Sequence, residues 1–309
     1  MQFVMSIPKD KKGLVTKKFN DFFYVDVYDN VYFSEKKRYL CKCRKSLRFK
    51  NDFVCVGDAV TLTEVDDKES TAVISNLLNR NNCLERPAVA NISDIYVTVS
   101  VNEPSINFSQ VSKLLINAEF LNVKVSLILT KCDLVSDEFR DLLVEKFKNW
   151  GYEPKTINAN KPFDFVDLLK ELKEKKCSIL MGPSGVGKTT LLNRIIPDLN
   201  NRTATVSSKI KRGKNTTRNV ELFALSEDSY IVDTPGFNLH KIEIEEDSIP
   251  SLFPEIFNQL KESEFRCKFN DCLHIDEPGC IVDKNFDRYE HYRTLIKETK
   301  NQNYQSLAD

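Results

Sequence analysis

The residues with the clearest chemistry lie between Met181 and Leu192, in the segment MGPSGVGKTTLL. Glycines in such a loop let the backbone turn its N–H groups inward onto a chain of phosphates. Lys188 would reach the outer phosphates as a point charge, and the hydroxyl of Thr189 could bind Mg²⁺. The spacing therefore predicts a P-loop that binds a nucleoside phosphate. Its predicted contact residues are Gly182, Pro183, Ser184, Gly185, Val186, Gly187, Lys188, Thr189 and Thr190.

Two short segments after predicted strands suit recognition of a guanine base. T-K-C-D, at 130–133, resembles the N-K-x-D motif of GTPases, with Thr130 in place of Asn. A carboxylate such as Asp133 can accept hydrogen bonds from N1–H and the 2-amino group of guanine, whereas adenine offers neither donor. N-A-N, at 158–160, occupies the place of the weaker S-A-x guanine loop. The predicted base-contacting residues are Thr130, Lys131, Cys132, Asp133, Asn158 and Ala159.

A further segment, D-T-P-G from Asp233 to Gly236, matches the D-x-x-G motif of GTPases. In that motif the Asp holds Mg²⁺ through water, and the N–H of the Gly meets the γ-phosphate. Between the P-loop and this motif lies a basic segment, KIKRGKNTTR, at 209–218. We expect Thr216 or Thr217 to be the switch threonine that senses the γ-phosphate and Mg²⁺.

The order of these motifs along the chain is unusual. In ordinary GTPases the P-loop comes first and N-K-x-D last, whereas here T-K-C-D precedes both the P-loop and D-T-P-G. The strands can still take the same places in a sheet, since helix-covered parallel sheets tolerate new termini at surface loops. The sequence therefore predicts a circularly permuted P-loop α/β GTPase domain.

A cluster of three cysteines and one histidine lies near the C-terminus, with the spacing C-x₄-C-x-H-x₅-C. Three thiolates and one imidazole complete a tetrahedral Zn²⁺ shell and leave no open position for catalysis. A small loop without much core of its own is stabilised by such a site. We expect one structural zinc, bound by Cys267, Cys272, His274 and Cys280. The other six cysteines are interpreted as structural thiols.

The N-terminal quarter of the chain has the pattern of a small β-barrel. Residues 13–75 contain short β-rich runs at Phe22–Val27, Val31–Phe33, Tyr39–Cys43 and Ala59–Val65, which favours five strands of the OB type. The segment KCRKSLRFK, basic with an interleaved aromatic, fits an RNA-binding loop of such a barrel. RNA contacts are expected there and in the basic switch segment, at Lys42, Arg44, Lys45, Arg48, Lys50, Lys209, Lys211, Arg212, Lys214 and Arg218.

Strand and helix patterns alternate from residue 95 to 232, which predicts a mostly parallel sheet with helices on both faces. Before them, the polar residues 79–90 include Pro87 and are typical of a linker. One predicted helix begins after the capping residue Ser136 and stops at Gly151. The residues of this helix expected to face the core are Phe139, Leu142, Leu143 and Phe147.

Composition limits the class of protein. The 309 residues include 45 basic and 45 acidic ones, yet residues 1–60 have 13 Lys and Arg against 7 Asp and Glu, and residues 241–264 have 2 against 7. Such asymmetry favours one face that binds a polyanion. No run of 18 apolar residues is present and the N-terminus does not suit a signal peptide, so neither a membrane span nor export is expected. The nine cysteines then indicate thiols or metal ligands and a cytoplasmic location. A monomer is expected.

In combination, these features resemble the RsgA family of bacterial ribosome small-subunit biogenesis GTPases. The shared features are the OB-type barrel, R-P-x-V-A-N at 86–91, GPSGVGKTTLLN, T-T-R at 216–218, D-T-P-G-F and FRCKFNDCLHIDEPGC. The resemblance spans nearly the full length. We expect an OB-fold RNA-binding domain at 1–78, a circularly permuted G domain at 79–240 and a zinc-binding helical domain at 241–309.

The resemblance implies that the partners are GTP or GDP and the 30S ribosomal subunit with its 16S rRNA. It also implies that GTP hydrolysis times release from the subunit during late maturation. Mg²⁺ bound with GTP and the P-loop would neutralise charge during in-line attack by water. Phe237 stands where many GTPases place a water-orienting Gln, so slow intrinsic turnover and stimulation by the subunit are expected. His240, or a group supplied by the partner, is the candidate to position water.

Two other functions fit part of the sequence. An ATP-dependent P-loop enzyme acting on RNA would share the P-loop and the barrel, although Asp133 favours guanine. A nucleotide-gated RNA-binding module with negligible turnover is consistent with Phe237. Competition between GTP and ATP, and phosphate release with and without 30S subunits, separate these alternatives.

Overall fold

The structure of this chain is a computed structural model that describes residues 10–28, 36–44, 47, 53–85, 88–196, 220–233 and 244–306. The chain forms two compact units, and each unit is built from three segments. The first unit comprises Met1–Asp94, Asp167–Leu180 and Leu192–Phe237, and the second comprises Ile95–Val166, Met181–Leu191 and Asn238–Asp309. The expected strand Val31–Phe33 lies outside the described residues.

Strands dominate the beginning of the described chain, and helices dominate its end. The strands are β1 (Lys11–Phe19), β2 (Phe22–Tyr28), β3 (Lys36–Cys43), β4 (Ala59–Asp66), β5 (Thr71–Leu77), β6 (Cys83–Glu85), β7 (Ala88–Ala90), β8 (Asp94–Ser100), β9 (Lys124–Thr130), β10 (Lys155–Thr156), β11 (Cys177–Met181), β12 (Glu221–Ala224) and β13 (Tyr230–Asp233). The α-helices are α1 (Phe108–Phe120), α2 (Asp137–Asn149), α3 (Pro162–Lys173), α4 (Lys188–Ile195), α5 (Pro254–Glu262) and α6 (Tyr289–Ser306), with 3₁₀ turns at Cys132–Leu134 and Glu246–Leu252. Within the described ranges, no helix is long and apolar enough to cross a membrane.

The first unit contains a closed five-stranded barrel. Around the ring, β1 pairs with β2, β2 with β3, β3 with β5, β5 with β4, and β4 with β1. Alternate residues of β4, Val60 and Leu62, are fully buried and share a core with Val15, Val25 and Tyr39. This alternation follows from the two-residue period of a strand whose one face is buried. The predicted five-stranded barrel is confirmed.

The segment predicted as a linker forms a two-stranded antiparallel ribbon of β6 and β7. The ribbon lies against the barrel, because the N–H of Ala90 donates to the carbonyl of Val56 at 2.8 Å and the Asn91 amide donates to the carbonyl of Gly57 at 2.9 Å. A Cβ atom on Gly57 would lie 2.2 Å from the carbonyl oxygen of Ala90. Only glycine allows this close approach of the two backbones.

The first unit also contains β11, β12 and β13. β11 runs parallel to β13, and β12 runs antiparallel to β13. β12 also pairs with the barrel strand β1, where Lys17 lies opposite Glu221 and the two side chains form an ion pair. Backbone hydrogen bonds therefore continue from these strands into the barrel.

In the second unit, β8, β9 and β10 lie side by side, and β9 and β10 are parallel. Helix α1 begins after Asn107, whose side chain accepts a hydrogen bond from the N–H of Gln110. It buries Val111, Leu114 and Leu115, which follow the spacing of one helix face. The alternation of parallel strands with helices is therefore present.

Helix α2 agrees with the prediction in part. The side chain of Ser136 caps its first turn by accepting from the N–H of Phe139, and Leu143 and Phe147 are buried. Phe139 and Leu142 are 45% and 69% exposed, so the prediction that they face the core was wrong. Leu142 lies about 100° around the helix from Leu143, outside the narrow face that α2 buries. Phe139 lies in the first turn, at the end of the packed face.

The C-terminal part of the second unit has a core of its own. Ile249, Phe253, Ile256, Tyr292 and Ile296 are fully buried there. They come from the second 3₁₀ turn, from α5 with the residue before it, and from α6. The three elements therefore hold each other in place around one apolar cluster.

Beside that core lies a buried charge. The guanidinium of Arg288 is fully buried and forms a two-pronged ion pair with Glu255. The rings of Trp150, Tyr152 and Phe253 surround the guanidinium at 5.0, 5.6 and 4.8 Å from its central carbon. Because Trp150 follows α2 directly, this contact joins the C-terminal core to the α/β part of the second unit.

Candidate nucleotide and metal sites

The P-loop connects the buried strand β11 to helix α4. A Cβ atom on Gly182 would lie 2.3 Å from the carbonyl oxygen of Thr98, so no side chain fits there. Gly187 has a φ of +100°, which glycine adopts without strain. The ammonium of Lys188 donates to the carbonyls of Gly182 and Pro183, both at 2.7 Å. The side chain of Lys188 therefore folds back across the loop and holds it in a compact form.

The T-K-C-D segment begins at the end of β9 and is tied to the P-loop. The hydroxyl oxygen of Thr130, which is 5% exposed, lies 2.6 Å from the carbonyl oxygen of Val186 and 3.2 Å from that of Val99. Lys131 has a left-handed backbone and its ammonium donates to the carbonyl of Glu103. Residues of two predicted nucleotide-binding segments are therefore in direct contact.

The same segment also contacts N-A-N. The N–H of Ala159 donates to the carboxylate of Asp133 at 3.1 Å, and the N–H of Cys132 donates to the carbonyl of Ile157 at 3.3 Å. Burial raises the pKa of the Cys132 thiol to about 11, so this thiol is a packing group and not a nucleophile. The structure brings the predicted base loops and the P-loop together within one unit, while their contact with a nucleotide stays a prediction.

Sequence reasoning missed the residue that shapes the N-A-N loop. The carboxylate of Asp164 accepts a hydrogen bond from the N–H of Asn158 at 2.9 Å. Asp164 lies in the first turn of α3, where an acidic residue is favoured by the helix dipole. An acidic residue in the first turn of a helix is the signal that the sequence offers for this role. It does not reveal which N–H group the carboxylate binds.

Several predicted residues lie outside the described parts of the chain. β13 ends at Asp233, the first residue of D-T-P-G. The two predicted switch threonines, the glycine of that motif and the predicted catalytic histidine fall outside the described residues. Most of the predicted RNA contacts do so as well. These positions are Thr216, Thr217, Gly236, His240, Lys45, Arg48, Lys50, Lys209, Lys211, Arg212, Lys214 and Arg218.

Two of the predicted RNA-contacting residues are described, both near the end of β3. Lys42 is exposed, with its ammonium 5.1 Å from the ring centre of Phe22. Arg44 is also exposed and lies 3.8 Å from the carboxylate of Glu64. A cation beside a partly exposed aromatic ring can contact a phosphate while the ring contacts a base.

The four predicted metal ligands converge on one point. Their sulfur and ring nitrogen atoms all lie within 4.8 Å of one another. Nδ1 of His274 is 3.6 Å from the sulfur of Cys267 and 3.5 Å from the sulfurs of Cys272 and Cys280. Burial raises the pKa of the Cys272 thiol to about 12, so binding of a metal must release protons from the cluster. The cluster can hold a metal ion.

A carboxylate shapes the loop that presents these ligands. Glu277 accepts hydrogen bonds from the N–H groups of Leu273 and Ile275, at 3.1 and 2.8 Å. Burial alone would raise the pKa of Glu277, but hydrogen bonds from backbone N–H groups outweigh it and lower that pKa. Between those two residues, His274 has a φ of +56°, a conformation that persists only when its surroundings impose it. The ionised Glu277 supplies that constraint.

Comparisons with known proteins find similar sequences over most of the chain. The sequence profile of the RsgA GTPase family matches residues 75–243. A protein named small ribosomal subunit biogenesis GTPase RsgA, from Prochlorococcus marinus strain NATL1A, is 41% identical over 299 residues, which cover 94% of this chain and 95% of that protein. A protein of the same name from Synechococcus sp. strain CC9605 is 40% identical, over 84% of this chain and 85% of that protein.

Two solved structures are similar over nearly the whole chain. The crystal structure of YjeQ from Thermotoga maritima has a TM-score of 0.75 and 29% identity, and the match covers 94% of this chain and 98% of that one. The structure of YloQ, described as a circularly permuted GTPase, has a TM-score of 0.74 and 27% identity, with 96% of each chain covered. The order of T-K-C-D, P-loop and D-T-P-G described above matches that description.

Proposed function

The chain belongs to the RsgA GTPase family, and we propose that it binds the 30S ribosomal subunit and assists its late maturation. In this proposal the chain hydrolyses GTP to GDP and phosphate, and contact with the subunit stimulates that reaction. The name of the relatives supports the role in biogenesis of the small subunit. The P-loop suits this reaction because GTP hydrolysis needs charge neutralisation on the phosphates and no covalent intermediate with the protein.

The observation that carries the proposal is the pair of contacts that T-K-C-D makes. Through Thr130 it meets the P-loop carbonyl of Val186, and through Asp133 it meets the N–H of Ala159. A base held by Asp133 and a phosphate chain held by the P-loop would then have a fixed separation. Such positioning is what in-line phosphoryl transfer requires.

The proposed roles of the remaining residues follow from charge and ligand type. Thr189 and, through water, Asp233 would hold Mg²⁺, which neutralises charge on the outer phosphates. Thr216 or Thr217 and the N–H of Gly236 would sense the γ-phosphate. Phe237 provides no group to orient water, so His240 or the subunit would do so.

We propose zinc as the metal of the C-terminal cluster. With Zn–S and Zn–N bonds of about 2.3 and 2.1 Å in a tetrahedron, a sulfur and a nitrogen ligand should lie about 3.6 Å apart. The three sulfur-to-Nδ1 distances, 3.6, 3.5 and 3.5 Å, agree with that value. Thiolate and imidazole ligands suit zinc rather than Mg²⁺ or Ca²⁺. The metal would be structural, since four protein ligands fill the shell.

The proposed surface for 16S rRNA includes the exposed cations of the barrel and of the switch segment. Lys42 and Arg44 represent it among the described residues. The full proposal has a cytoplasmic monomer with an OB-fold domain at 1–78, a G domain at 79–240 and a zinc domain at 241–309. Phosphate contacts of this kind make affinity depend steeply on salt.

The test is a GTPase titration with purified 30S, 50S and 70S particles at two salt concentrations. The expected result is strong stimulation by 30S particles alone, weakened at the higher salt. A variant in which Lys42 and Arg44 are both replaced by Ala should need more 30S for the same rate, with its rate in isolation unchanged. A charge-matched control replaces the exposed Lys261 and Lys297 and should behave as the parent chain does.

The titration, together with a competition between GTP and ATP for binding, also separates the alternatives. Equal rates with and without 30S, together with equal binding of the GTP and GDP forms to 30S, would contradict the ribosome-coupled function. Negligible phosphate release in every condition would favour a nucleotide-gated RNA-binding module. Displacement of bound GTP by equimolar ATP would favour an ATP-dependent enzyme.

A further inference from the structure

Two cysteines of the first unit lie in contact although they are far apart in sequence. The sulfur atoms of Cys55 and Cys83 are 3.5 Å apart, and 28 positions separate them along the chain. Cys55 lies in the loop before β4, and Cys83 is the first residue of β6. Neither belongs to the metal cluster, and neither takes part in the proposed GTPase reaction.

The backbone around this pair is held in register from both sides. Arg80 forms a two-pronged ion pair with the buried carboxylate of Asp58, at 2.6 Å to each oxygen. The carboxylate of Asp58 also accepts from the N–H of Cys55 at 2.7 Å. On the other side, Val56 and Val89 form a β-bridge. The two backbone segments that carry the thiols are therefore held side by side.

We propose that Cys55 and Cys83 are an oxidation site, at which a hydroperoxide converts the two thiols into a disulfide that staples the ribbon to the barrel. A disulfide bond is about 2.05 Å long, so the sulfurs need to approach by roughly 1.5 Å. Rotation about the side-chain bonds can supply such a movement while the backbone contacts remain.

The difference in exposure between the two cysteines determines which thiol reacts first. Cys83 is partly exposed, whereas Cys55 is fully buried. The hydrogen bond with Cys83 and burial both raise the pKa of Cys55 well above its ordinary value, so Cys55 is the poorer first nucleophile.

The thiolate of Cys83 attacks one peroxide oxygen and becomes a sulfenic acid, and hydroxide leaves. The sulfur of Cys55 then attacks that sulfenic sulfur, its proton joins the departing hydroxyl, and water leaves. Two thiols are oxidised and one hydroperoxide is reduced.

The test uses the full chain with its metal bound, reduced and then freed of reductant. Hydrogen peroxide is added, remaining thiols are alkylated at intervals, and the chain is digested without reduction for mass spectrometry. The expected product is a peptide pair joined through Cys55 and Cys83, about 2 Da lighter than the two reduced peptides together. It should form before metal is released from the C-terminal cluster. The melting temperature should rise by about 3–10 °C and return when reductant is added.

Three variants complete the test. Cys83→Ser and Cys55→Ser should both lose the cross-link and the reversible temperature shift, and Cys83→Ser is decisive if the buried Cys55→Ser variant does not fold. Cys43→Ser, which removes a thiol of the barrel outside the pair, should keep both. Separate alkylation of Cys55 and Cys83 after the cluster cysteines have already been oxidised would overturn the proposal. So would a cross-link that leaves the melting temperature unchanged.

Discussion

The hydroxyl oxygen of Thr130 lies 2.6 Å from the carbonyl oxygen of Val186, 56 positions further along the chain. This contact joins the segment expected to read the base to the loop expected to hold the phosphates. The usual asparagine of the motif is replaced here, yet a buried polar link between the two loops is present. The contribution of this hydrogen bond to nucleotide binding can be measured, because valine has nearly the shape of threonine but lacks the hydroxyl.

Replacing Thr130 by Val should lower GTP affinity. The substitution keeps the volume but leaves the buried carbonyl of Val186 without this donor, at a cost of about 1–3 kcal/mol. Thr130→Ser retains the hydroxyl and is the matched control. Calorimetric titration with GTP and GDP gives both values. Equal affinity in the Val and Ser variants would mean that the contact does not position the nucleotide.

Replacing Asp133 by Asn should exchange the preferred base. The amide oxygen can still accept from the N–H of Ala159, so the loop should keep its shape. The new amide nitrogen, however, opposes the 2-amino donor of guanine and suits the 2-carbonyl of xanthine, so GTP affinity should fall by about 1–3 kcal/mol or more. XTP affinity should rise. Asp141→Asn, on the exposed face of α2, is the control. Unchanged GTP affinity in the Asp133 variant would remove this residue from the base site.

Removing one cluster ligand should release the metal. Purified parent chain should contain about one zinc, because its four ligands close a single tetrahedral shell. Cys272→Ala should lose it and increase amide hydrogen exchange across residues 262–285, while GTP binding largely survives. Since the thiols must lose protons to bind metal, retention of zinc should weaken as the pH falls. Cys43→Ser should retain the metal. Protein purified without chelator and found free of zinc would contradict the assignment.

Breaking the buried ion pair should destabilise the second unit. Arg288→Met leaves the carboxylate of Glu255 buried without its partner, which typically costs about 3–5 kcal/mol. The double variant Arg288→Met with Glu255→Met should regain most of that stability, since a matched apolar pair can replace a buried ion pair. Denaturant unfolding of the single and double variants measures the difference. Arg293→Met, at an exposed pair, should change stability by less than about 1 kcal/mol. A double variant no more stable than the single one would show that the aromatic packing around Arg288 dominates.

The sequence predicts a site well when the residues of that site lie close together along the chain. The P-loop spans one turn between a strand and a helix, and the four cluster ligands fall between Cys267 and Cys280, so residue type and spacing are enough. Contacts between distant segments were not predictable in this way. The bond from Thr130 to Val186 depends on which strands end side by side, and no local pattern encodes that.

The misassigned residues have the same origin. Phe139 and Leu142 have the spacing of a buried face, but how wide that face is depends on what packs over α2. The ribbon of β6 and β7 is another case, since the polar residues and Pro87 of the segment 79–90 are typical of a linker. Its structure comes from the close approach of Gly57 and Ala90 and from the Asn91 amide, both of them tertiary contacts.

The pairing of β1 with β12 has a practical consequence for dissecting this chain. An expression fragment that ends after the barrel, at residue 78, would lack Glu221 and the strand that carries it. The end of β1 near Lys17 would then become an open edge, with unpaired N–H and C=O groups that invite pairing with another molecule. Such a fragment should self-associate in a concentration-dependent way, so apparent RNA affinities measured with it would report aggregates as well as the barrel.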